Sequence, residues 1–362
     1  MSRILVPDYF EQFRCKCGDC RRPCCDGWGI NVDEHEYFTL IGIECSPRLR
    51  HKLDDAFVVE PLATPDEYAS IRPNYLEQCP MLDDDGLCLL QKEKGERVLP
   101  LVCRLYPRAI KKYGPRHELC MSCSCEETAE LLMAADAPLT LHETDADLPF
   151  EGLSVYGDDP ERDRLRHACI AAMSDGTIPL VKRLELIGNF CCAKPAEAEA
   201  DRREGLVSLR HILTMLAHRS RSMRECGEKT LAYLGTDDPD EILRRFDAAE
   251  AHLYALLPDV EAKAGRIISN HMLYESFPYS PDCESPDTAF AAFCTAVALL
   301  KLLCVCDMAD SDRLSDLVDV LAGANRFIEH SDYYRVCSRL DHPRGMAVFA
   351  RFAAVIAPHP DH

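Results

Sequence analysis

Residues 237–259, DDPDEILRRFDAAEAHLYALLPD, have the pattern of an amphipathic helix. The N-terminus can be capped by Asp238 or Asp240, and Pro258 ends the pattern. The apolar residues recur every three or four positions and form one stripe: Leu243, Phe246, Ala249, Leu253, and Leu256 or Leu257. Because such a stripe must be buried against other elements, we expect a helix packed in a core.

The same period runs through the second part of the chain. Amphipathic runs occupy 161–174, 178–192, 205–219, 222–235, 239–257, 260–276, 287–306, 311–330 and 343–357. The apolar run AFAAFCTAVALL, 289–300, is too short to span a bilayer and predicts a buried helix. The sequence therefore predicts a mainly α protein with an all-helical C-terminal domain at 161–362.

Composition excludes several classes of protein. The 362 residues are 28% charged and 47% hydrophobic, which is typical of a soluble globular protein. A net charge of −20 disfavours nucleic acid and anionic membranes as partners; it suits exposed lysines, or simply solubility. The start, MSRILVPDYFEQF, lacks the features of a signal peptide, so we expect a cytoplasmic protein with reduced thiols.

The first third differs in character from the rest. It holds 12 of the 21 cysteines, together with Pro- and Gly-rich turns such as RRPCCDGWG, and predicts a loop-rich, metal-binding region at 1–130. An acidic linker is expected at 131–160. A helix start is predicted at Asp33, with Glu36 three residues later. Residues 86–108 fit either two strands or a strand and a helical turn.

The clustered cysteines point to metal. Residues 15–28, CKCGDCRRPCCDGW, hold five of them, and CPMLDDDGLC, CRLYPR and CMSCSC follow. Soft thiolates with few nearby histidines indicate an iron–sulfur cluster or a four-cysteine zinc site. The spacings match neither a zinc ribbon nor the ferredoxin run. Trp28 is expected to shield the metal from water.

Two other interpretations of the cysteines remain. Buried free thiols suit the helical positions Cys169, Cys226, Cys283, Cys294, Cys304, Cys306 and Cys337. The Cys17–Cys20 pair has the C-x-x-C spacing of a redox dithiol, without the strand and helix that flank a thioredoxin site.

The N-terminal sequence resembles the flagellin lysine-N-methylase family, within the wider zinc- or iron-chelating cysteine-cluster proteins. The resemblance rests on ILVPDYFEQFRCKCGDCRRPCCDGWGINVDEHEY (4–37), CPMLDDDGLCLLQKEKGERVLPLVCRLYPR (79–108) and SCEETAELL (124–132). Weaker likeness lies in ISNHMLYESFPYS (268–280) and ANRFIEHSDYY (324–334). Glu126 stands where the family has proline.

The resemblance implies methyl transfer from S-adenosylmethionine to lysine ε-amines of flagellin, with an iron–sulfur cluster, 4Fe–4S, or zinc as the alternative metal. The family's cysteines fall on Cys15, Cys20, Cys24, Cys25, Cys79, Cys88, Cys103 and Cys125. Cys17, Cys120 and Cys123 are extras, although Cys123 can substitute for Cys125.

The chemistry requires a neutral lysine amine, hence a base or a desolvating site. Candidates in the C-terminal motifs are Tyr274, Glu275, Glu329, His330 and Tyr334. No G-x-G-x-x-G loop of a Rossmann-type methyltransferase is present, and CGDCRRPCC lacks the C-x3-C-x2-C spacing of radical enzymes. The alternatives are a non-enzymatic zinc- or iron-chelating protein and an electron-transfer protein.

Overall fold

The computed structural model describes residues 4–144, 154–194, 201–339 and 345–360. The strands are β1 Ile4–Pro7, β2 Ile30–Val32, β3 Phe57–Val59, β4 Ala69–Ile71, β5 Arg108–Tyr113, β6 Arg116–Met121, β7 Leu141–Thr144 and β8 Ser154–Tyr156. The first helices are α1 Glu34–Gly42, α2 Pro47–Ala56, α3 Leu89–Lys94, α4 Leu101–Leu105, α5 Glu126–Ala134, α6 Pro160–Ser174 and α7 Leu180–Cys191. The remaining helices are α8 Arg202–Leu216, α9 Arg221–Leu234, α10 Pro239–Leu256, α11 Val260–Tyr274, α12 Pro286–Asp307, α13 Leu314–His330, α14 Tyr333–Arg339 and α15 Gly345–Ile356.

The chain forms two compact units. Met1–Phe13 and Arg108–His362 make the helical unit, and Arg14–Pro107 makes the cysteine-rich unit. This division differs from the domains predicted at 1–130 and 161–362, because strands in both 1–13 and 108–121 pair within the helical unit. The region predicted as a linker contributes β7 and β8 to the same sheet, and its residues 145–153 lie outside the described residues.

The cysteine-rich unit has a small sheet of order β2-β4-β3, all antiparallel. The predicted helix start is present: Glu36 N donates to Asp33 Oδ1 over 2.7 Å, and Asp33 N donates to Glu36 Oε2 over 3.3 Å. The two-strand alternative for 86–108 is wrong, because this segment holds the short helices α3 and α4 before β5 begins at Arg108. The helical turn of the other alternative is present. Glu36 Oε1 also accepts from Leu101 N at 2.5 Å, so α1 holds the start of α4.

The helical unit contains a five-stranded sheet of order β7-β1-β6-β5-β8. β1 pairs parallel with β6, and β5 and β6 form an antiparallel hairpin. The hairpin turns at Gly114, whose φ of +56° suits glycine. On the sheet, the Glu118 carboxylate accepts two hydrogen bonds from Arg166 at 3.0 and 2.9 Å, which fixes α6 to β6.

The mainly α prediction is confirmed. Each amphipathic run corresponds to one of α6–α13 or α15, and no strand follows Tyr156 in the described residues. Asp238 caps α10, with its side chain accepting from Asp240 N, and the helix ends before Pro258 as expected. The predicted stripe is largely buried, with Phe246, Ala249 and Leu253 in the core.

α12 forms the centre of the helical core, and almost its whole length is buried. In length and composition this one helix, of those described, could cross a bilayer, but 94% of its apolar window is buried inside the fold. The core helix of a globular protein passes the same test, so the observation is weak evidence for a membrane span.

Candidate functional site

A cluster of polar side chains occupies the interior of the helical unit, where the ends of α11 and α13 meet the loop after β6. His271 Nδ1 donates to Glu329 Oε1 over 3.1 Å. The other ring nitrogen, Nε2, lies 2.7 Å from the Tyr334 hydroxyl, which donates to it in the neutral ring. His271 and the Glu329 side chain are buried, so a carboxylate, an imidazole and a phenol form one hydrogen-bonded chain away from water.

Two serines extend this chain towards the surface. Ser122 Oγ donates to Glu329 Oε2 over 2.5 Å. His330 Nε2 lies 3.0 Å from Ser122 Oγ and 2.9 Å from Ser124 Oγ, and the Tyr274 ring packs edge-on against the His330 ring. His330 is exposed, whereas Ser122 and Ser124 are buried. The polar cluster therefore reaches from the core to the protein surface.

Lys111 of β5 fixes the end of α11 beside this cluster. Its ammonium donates to the carbonyls of Leu273 and Tyr274, and to Ser276 Oγ over 2.8 Å. A cation at the C-terminus of a helix satisfies free carbonyls and is favoured by the helix dipole. The buried lysine thus orients Tyr274 and Glu275.

Glu275 is the group whose titration best suits proton transfer near neutral pH. Loss of hydration raises the pKa of its carboxyl to about 7, with smaller opposing effects of His271 and Lys111. Loss of hydration, together with the charges of Glu275 and Glu329, also raises the pKa of Tyr334. Tyr334 therefore stays a neutral hydroxyl while Glu275 changes charge near pH 7.

All five candidates from the C-terminal motifs thus lie in or beside one cluster. Sequence reasoning missed His271, Lys111 and the two serines. His271 on α11 stands four residues before Glu275, which directly follows the last residue of that helix. This spacing within ISNHMLYESF is a signal that the sequence offers. The sequence gives no comparable signal for Lys111, because a lysine within a strand usually faces solvent.

In the cysteine-rich unit, the chain brings several of the predicted ligands together. Cys79 N donates to Cys25 O over 2.8 Å, so these two segments run side by side. Within the loop 79–88, the backbone of Leu82 forms an isolated antiparallel β-bridge with that of Cys88. Gly18 lies close to Leu87: a Cβ added at position 18 would be 2.8 Å from the Leu87 side chain. The 17–20 turn therefore packs against the 79–88 loop.

The thiols of this unit act on one another. The Sγ atoms of Cys24 and Cys25 are 4.0 Å apart. Loss of hydration raises the pKa of Cys79 to about 11, and the charges of Cys88 and Cys24 add to this effect. Loss of hydration also raises the pKa of Cys103, and the charges of Cys79, Cys24 and Cys88 add to this effect. Five sulfurs from three segments therefore share one neighbourhood.

The other predicted ligands are placed less closely. Cys15 lies beside Cys17, whose backbone N donates to its sulfur over 3.3 Å, and the charge of Cys24 also acts on it. Cys20 ends the short 3₁₀ turn Cys17–Asp19 and is half-buried. Cys125 lies in the helical unit, where it occupies the N-cap position of α5.

Within the described residues, no group of three or more His, Cys, Asp or Glu side chains has the arrangement of a metal centre. The donor set nevertheless suits a soft metal, since it consists of cysteines whose thiolate forms repel one another, and a cation would relieve that repulsion. Trp28 packs edge-on against Tyr106 at 5.4 Å, three residues after Cys103. The metal itself and its ligand subset stay predictions.

Of the cysteines assigned to helical cores, Cys283 departs from that expectation, because it is half-buried in the segment between α11 and α12. Cys169, Cys226, Cys294, Cys304, Cys306 and Cys337 are buried on helices, as expected. They are small apolar residues of the core, as free cysteines often are.

Comparison with known proteins gives three relatives from Salmonella. The lysine-N-methylases of Salmonella typhimurium and Salmonella choleraesuis are each 29% identical over 141 residues, which is 38% of this chain and 35% of theirs. The flagellar biosynthetic protein FliU of Salmonella muenchen is 28% identical over 141 residues, 82% of its length. The match thus spans about a third of the length of the two lysine-N-methylases.

No protein-family model matches the chain, and no solved structure is significantly similar to it. The similarity to proteins with these names agrees with the resemblance inferred from the cysteine motifs. Over these 141 residues, the chain resembles the flagellin lysine-N-methylase family.

Proposed function

We propose that this protein is a lysine N-methyltransferase that modifies ε-amines on a protein substrate, with S-adenosylmethionine as methyl donor. The observation that carries the proposal is the similarity to two proteins named lysine-N-methylase. The polar cluster of the helical unit adds a chemical reason, because it supplies the acid–base groups that amine methylation requires.

A lysine amine must lose a proton before its nitrogen can attack a methyl carbon. Its ordinary pKa is about 10.4, so almost all of it is protonated at pH 7. Glu275, with a pKa of about 7, is available as a carboxylate to accept that proton. The transfer then forms the N–C bond as the donor's C–S bond breaks, and the proton ends on the carboxylate.

The remaining groups position the amine. Glu329 holds the His271 ring in one tautomer, and His271 fixes the Tyr334 hydroxyl. A fixed phenol oxygen can accept a hydrogen bond from the amine and align its lone pair. The net charge of −20 favours a lysine-rich partner.

The cysteine-rich unit would hold an iron–sulfur cluster, 4Fe–4S, with zinc as the alternative. Cys24, Cys25, Cys79, Cys88 and Cys103 are the ligands that the shared neighbourhood of sulfurs favours. Such a cluster would supply redox chemistry or a fixed positive centre among the thiolates. Cys15, Cys20 and Cys125 complete the set proposed from the resemblance.

Flagellin is the proposed substrate, because one relative is named a flagellar biosynthetic protein and the resemblance includes flagellin methylation. The proposed compartment is the cytoplasm. A second candidate, a non-enzymatic zinc- or iron-chelating protein, is favoured by one observation: the sequence has no glycine-rich loop for the adenosyl cofactor.

Co-expression with flagellin tests the proposal. Intact-mass measurement of flagellin should show added multiples of one methyl group with wild-type protein. The Glu275→Gln variant should abolish most of the added mass, whereas Glu228→Gln, at an exposed site on α9, should not. Unmodified flagellin, from cells that contain folded, iron-loaded protein, would contradict the proposal and favour the chelator.

A further inference from the structure

A polar cavity of about 350 Å³ lies in the helical unit, away from the cluster described above. It is bounded by the end of α6, the first turns of α7, the first half of α11 and residues 136–139. Its volume is within the range of small-molecule sites. None of its lining residues takes part in the proposed acid–base chemistry.

One buried cation in this cavity has no anionic partner at ion-pair distance among the described residues. The Arg183 guanidinium donates to Ile178 O over 2.8 Å and to Met173 O over 3.1 Å. Loss of hydration lowers the pKa of Arg183, and the carboxylates of Glu261 and Asp175 oppose this effect from beyond ion-pair distance. Beside Arg183, Ser269 is only 1% exposed, and its Oγ has no hydrogen-bond partner among the described residues. The buried Arg183 guanidinium and the Ser269 hydroxyl could both donate hydrogen bonds to an acceptor on a ligand.

The same cavity also contains an anion, Glu261, that has no cation at ion-pair distance among the described residues. Glu261 accepts from the Tyr254 hydroxyl over 3.0 Å and from Leu180 N over 3.4 Å. It forms no ion pair with any described residue, Arg183 included, although both line the cavity. A single ligand carrying both signs of charge would satisfy the two groups together.

The other charged side chains that line the cavity, Asp136, Asp259 and Arg266, are already compensated. Lys263 pairs with Asp136 at 3.0 Å and with Asp259 at 2.8 Å. Arg266 pairs with Asp8 at 2.8 Å. Among the described lining residues, Arg183 and Glu261 therefore remain without a close partner and act on each other only at longer range.

Small residues on α11 keep the space open. Ala262, Gly265 and Ser269 lie on one face of the helix. A Cβ on Gly265 would meet Arg183 Nη1 at 2.7 Å, so glycine is what allows the guanidinium to lie across the helix. A second cavity of about 100 Å³ adjoins through Glu261 and is lined almost entirely by apolar side chains, among them Leu180 and Leu257.

We propose that this pair of cavities binds an α-amino acid group. Its carboxylate would accept from Arg183 and Ser269, its ammonium would pair with Glu261, and an apolar side chain would enter the smaller cavity. Two sources share this chemistry. One is a free apolar amino acid, such as methionine, and the other is the methionine end of S-adenosylmethionine. The second source rests on the proposed function.

Calorimetric titration of the full-length, anaerobically purified protein tests the assignment. The ligands are L-methionine, its methyl ester, S-adenosylhomocysteine and methylthioadenosine, which lacks the amino acid group. Wild-type protein should bind at least one ligand with a free α-amino-carboxylate, and the ester and methylthioadenosine at least about tenfold more weakly, because a charge-assisted hydrogen bond is lost.

Two variants and one control variant test whether Arg183 and Ser269 bind the ligand. Arg183→Gln and Ser269→Val should each weaken binding about tenfold or more, whereas Lys182→Gln, exposed on the same helix, should leave it unchanged. The serine has no internal hydrogen bond to lose, so its variant keeps the test valid if the arginine variant unfolds. Binding to S-adenosylhomocysteine identifies the methyl donor as the source, and binding to methionine alone identifies a free amino acid.

The assignment would be overturned if wild-type protein bound neither L-methionine nor S-adenosylhomocysteine. It would also be overturned if both variants bound the ligand as tightly as wild type does. Its failure is separable from that of the proposed function. If flagellin is methylated but no amino acid binds to the wild-type protein, only the cavity assignment is contradicted. If an amino acid binds but flagellin stays unmethylated, only the proposed methyltransferase activity is contradicted.

Discussion

Replacement of Glu275 by glutamine should change how the stability of the helical unit depends on pH. The wild-type carboxyl has its pKa raised from 4.5 to about 7, mainly through loss of hydration. His271 and Lys111 oppose the shift, and Glu329 and Asp282 add to it. Between pH 4.5 and 7 the folded state binds more protons than the unfolded chain, so stability falls as the pH rises.

The size of this effect follows from the shift. Each pKa unit corresponds to 1.36 kcal/mol, so the loss between pH 4.5 and pH 8 is at most about 3 kcal/mol. Glu275 keeps partial contact with solvent, which reduces the figure. Glutamine has no charge to desolvate. The variant should therefore gain stability relative to wild type as the pH rises.

Urea denaturation at pH 5, 6, 7 and 8, followed by circular dichroism, measures this difference. Glu228→Gln on the surface of α9 serves as the control and should parallel wild type at every pH. A stability difference between Glu275→Gln and wild type that stays constant from pH 5 to pH 8 would refute the reasoning. Glu275 would then be an ordinary surface carboxylate, unsuited to accept a proton near pH 7.

Three further substitutions test other parts of the structure. Glu118→Gln leaves the buried Arg166 guanidinium without its carboxylate, and should lower the free energy of unfolding by about 3–5 kcal/mol in urea titrations. Gly188→Ala places a Cβ 2.6 Å from an aromatic ring of α12 and should cost about 1–3 kcal/mol in the same assay. Cys79→Ser should lower the iron or zinc content of anaerobically purified protein measured by elemental analysis, whereas Cys306→Ala, in the helical core, should not; equal metal content in both would exclude Cys79 as a ligand.

The polar cluster shows how sequence and tertiary structure divide the information. Tyr274, Glu275, Glu329, His330 and Tyr334 stand out in two short motifs, but the motifs do not say that they meet. Their common neighbourhood depends on residues far away in the chain, as when a serine of the loop after β6 reaches a glutamate 207 residues later. No local pattern records such a contact.

The cysteine-rich region shows the same limit at closer range. The spacing of its thiols predicted a shared centre, and Cys24, Cys79, Cys88 and Cys103 do act on one another. The same sequence left 86–108 undecided between strand and helix, because segments of five or six residues are too short for either period to dominate.

By itself, the sequence determined the helices of the second part, their caps and the class of the fold, because apolar periodicity and capping residues act over one or two turns. Only the tertiary structure decided that β1 joins the hairpin β5–β6 and that the ends of α11 and α13 enclose one buried acid–base cluster. These outcomes depend on packing between residues distant in sequence, and the energy of such packing is not written in any local stretch of the chain.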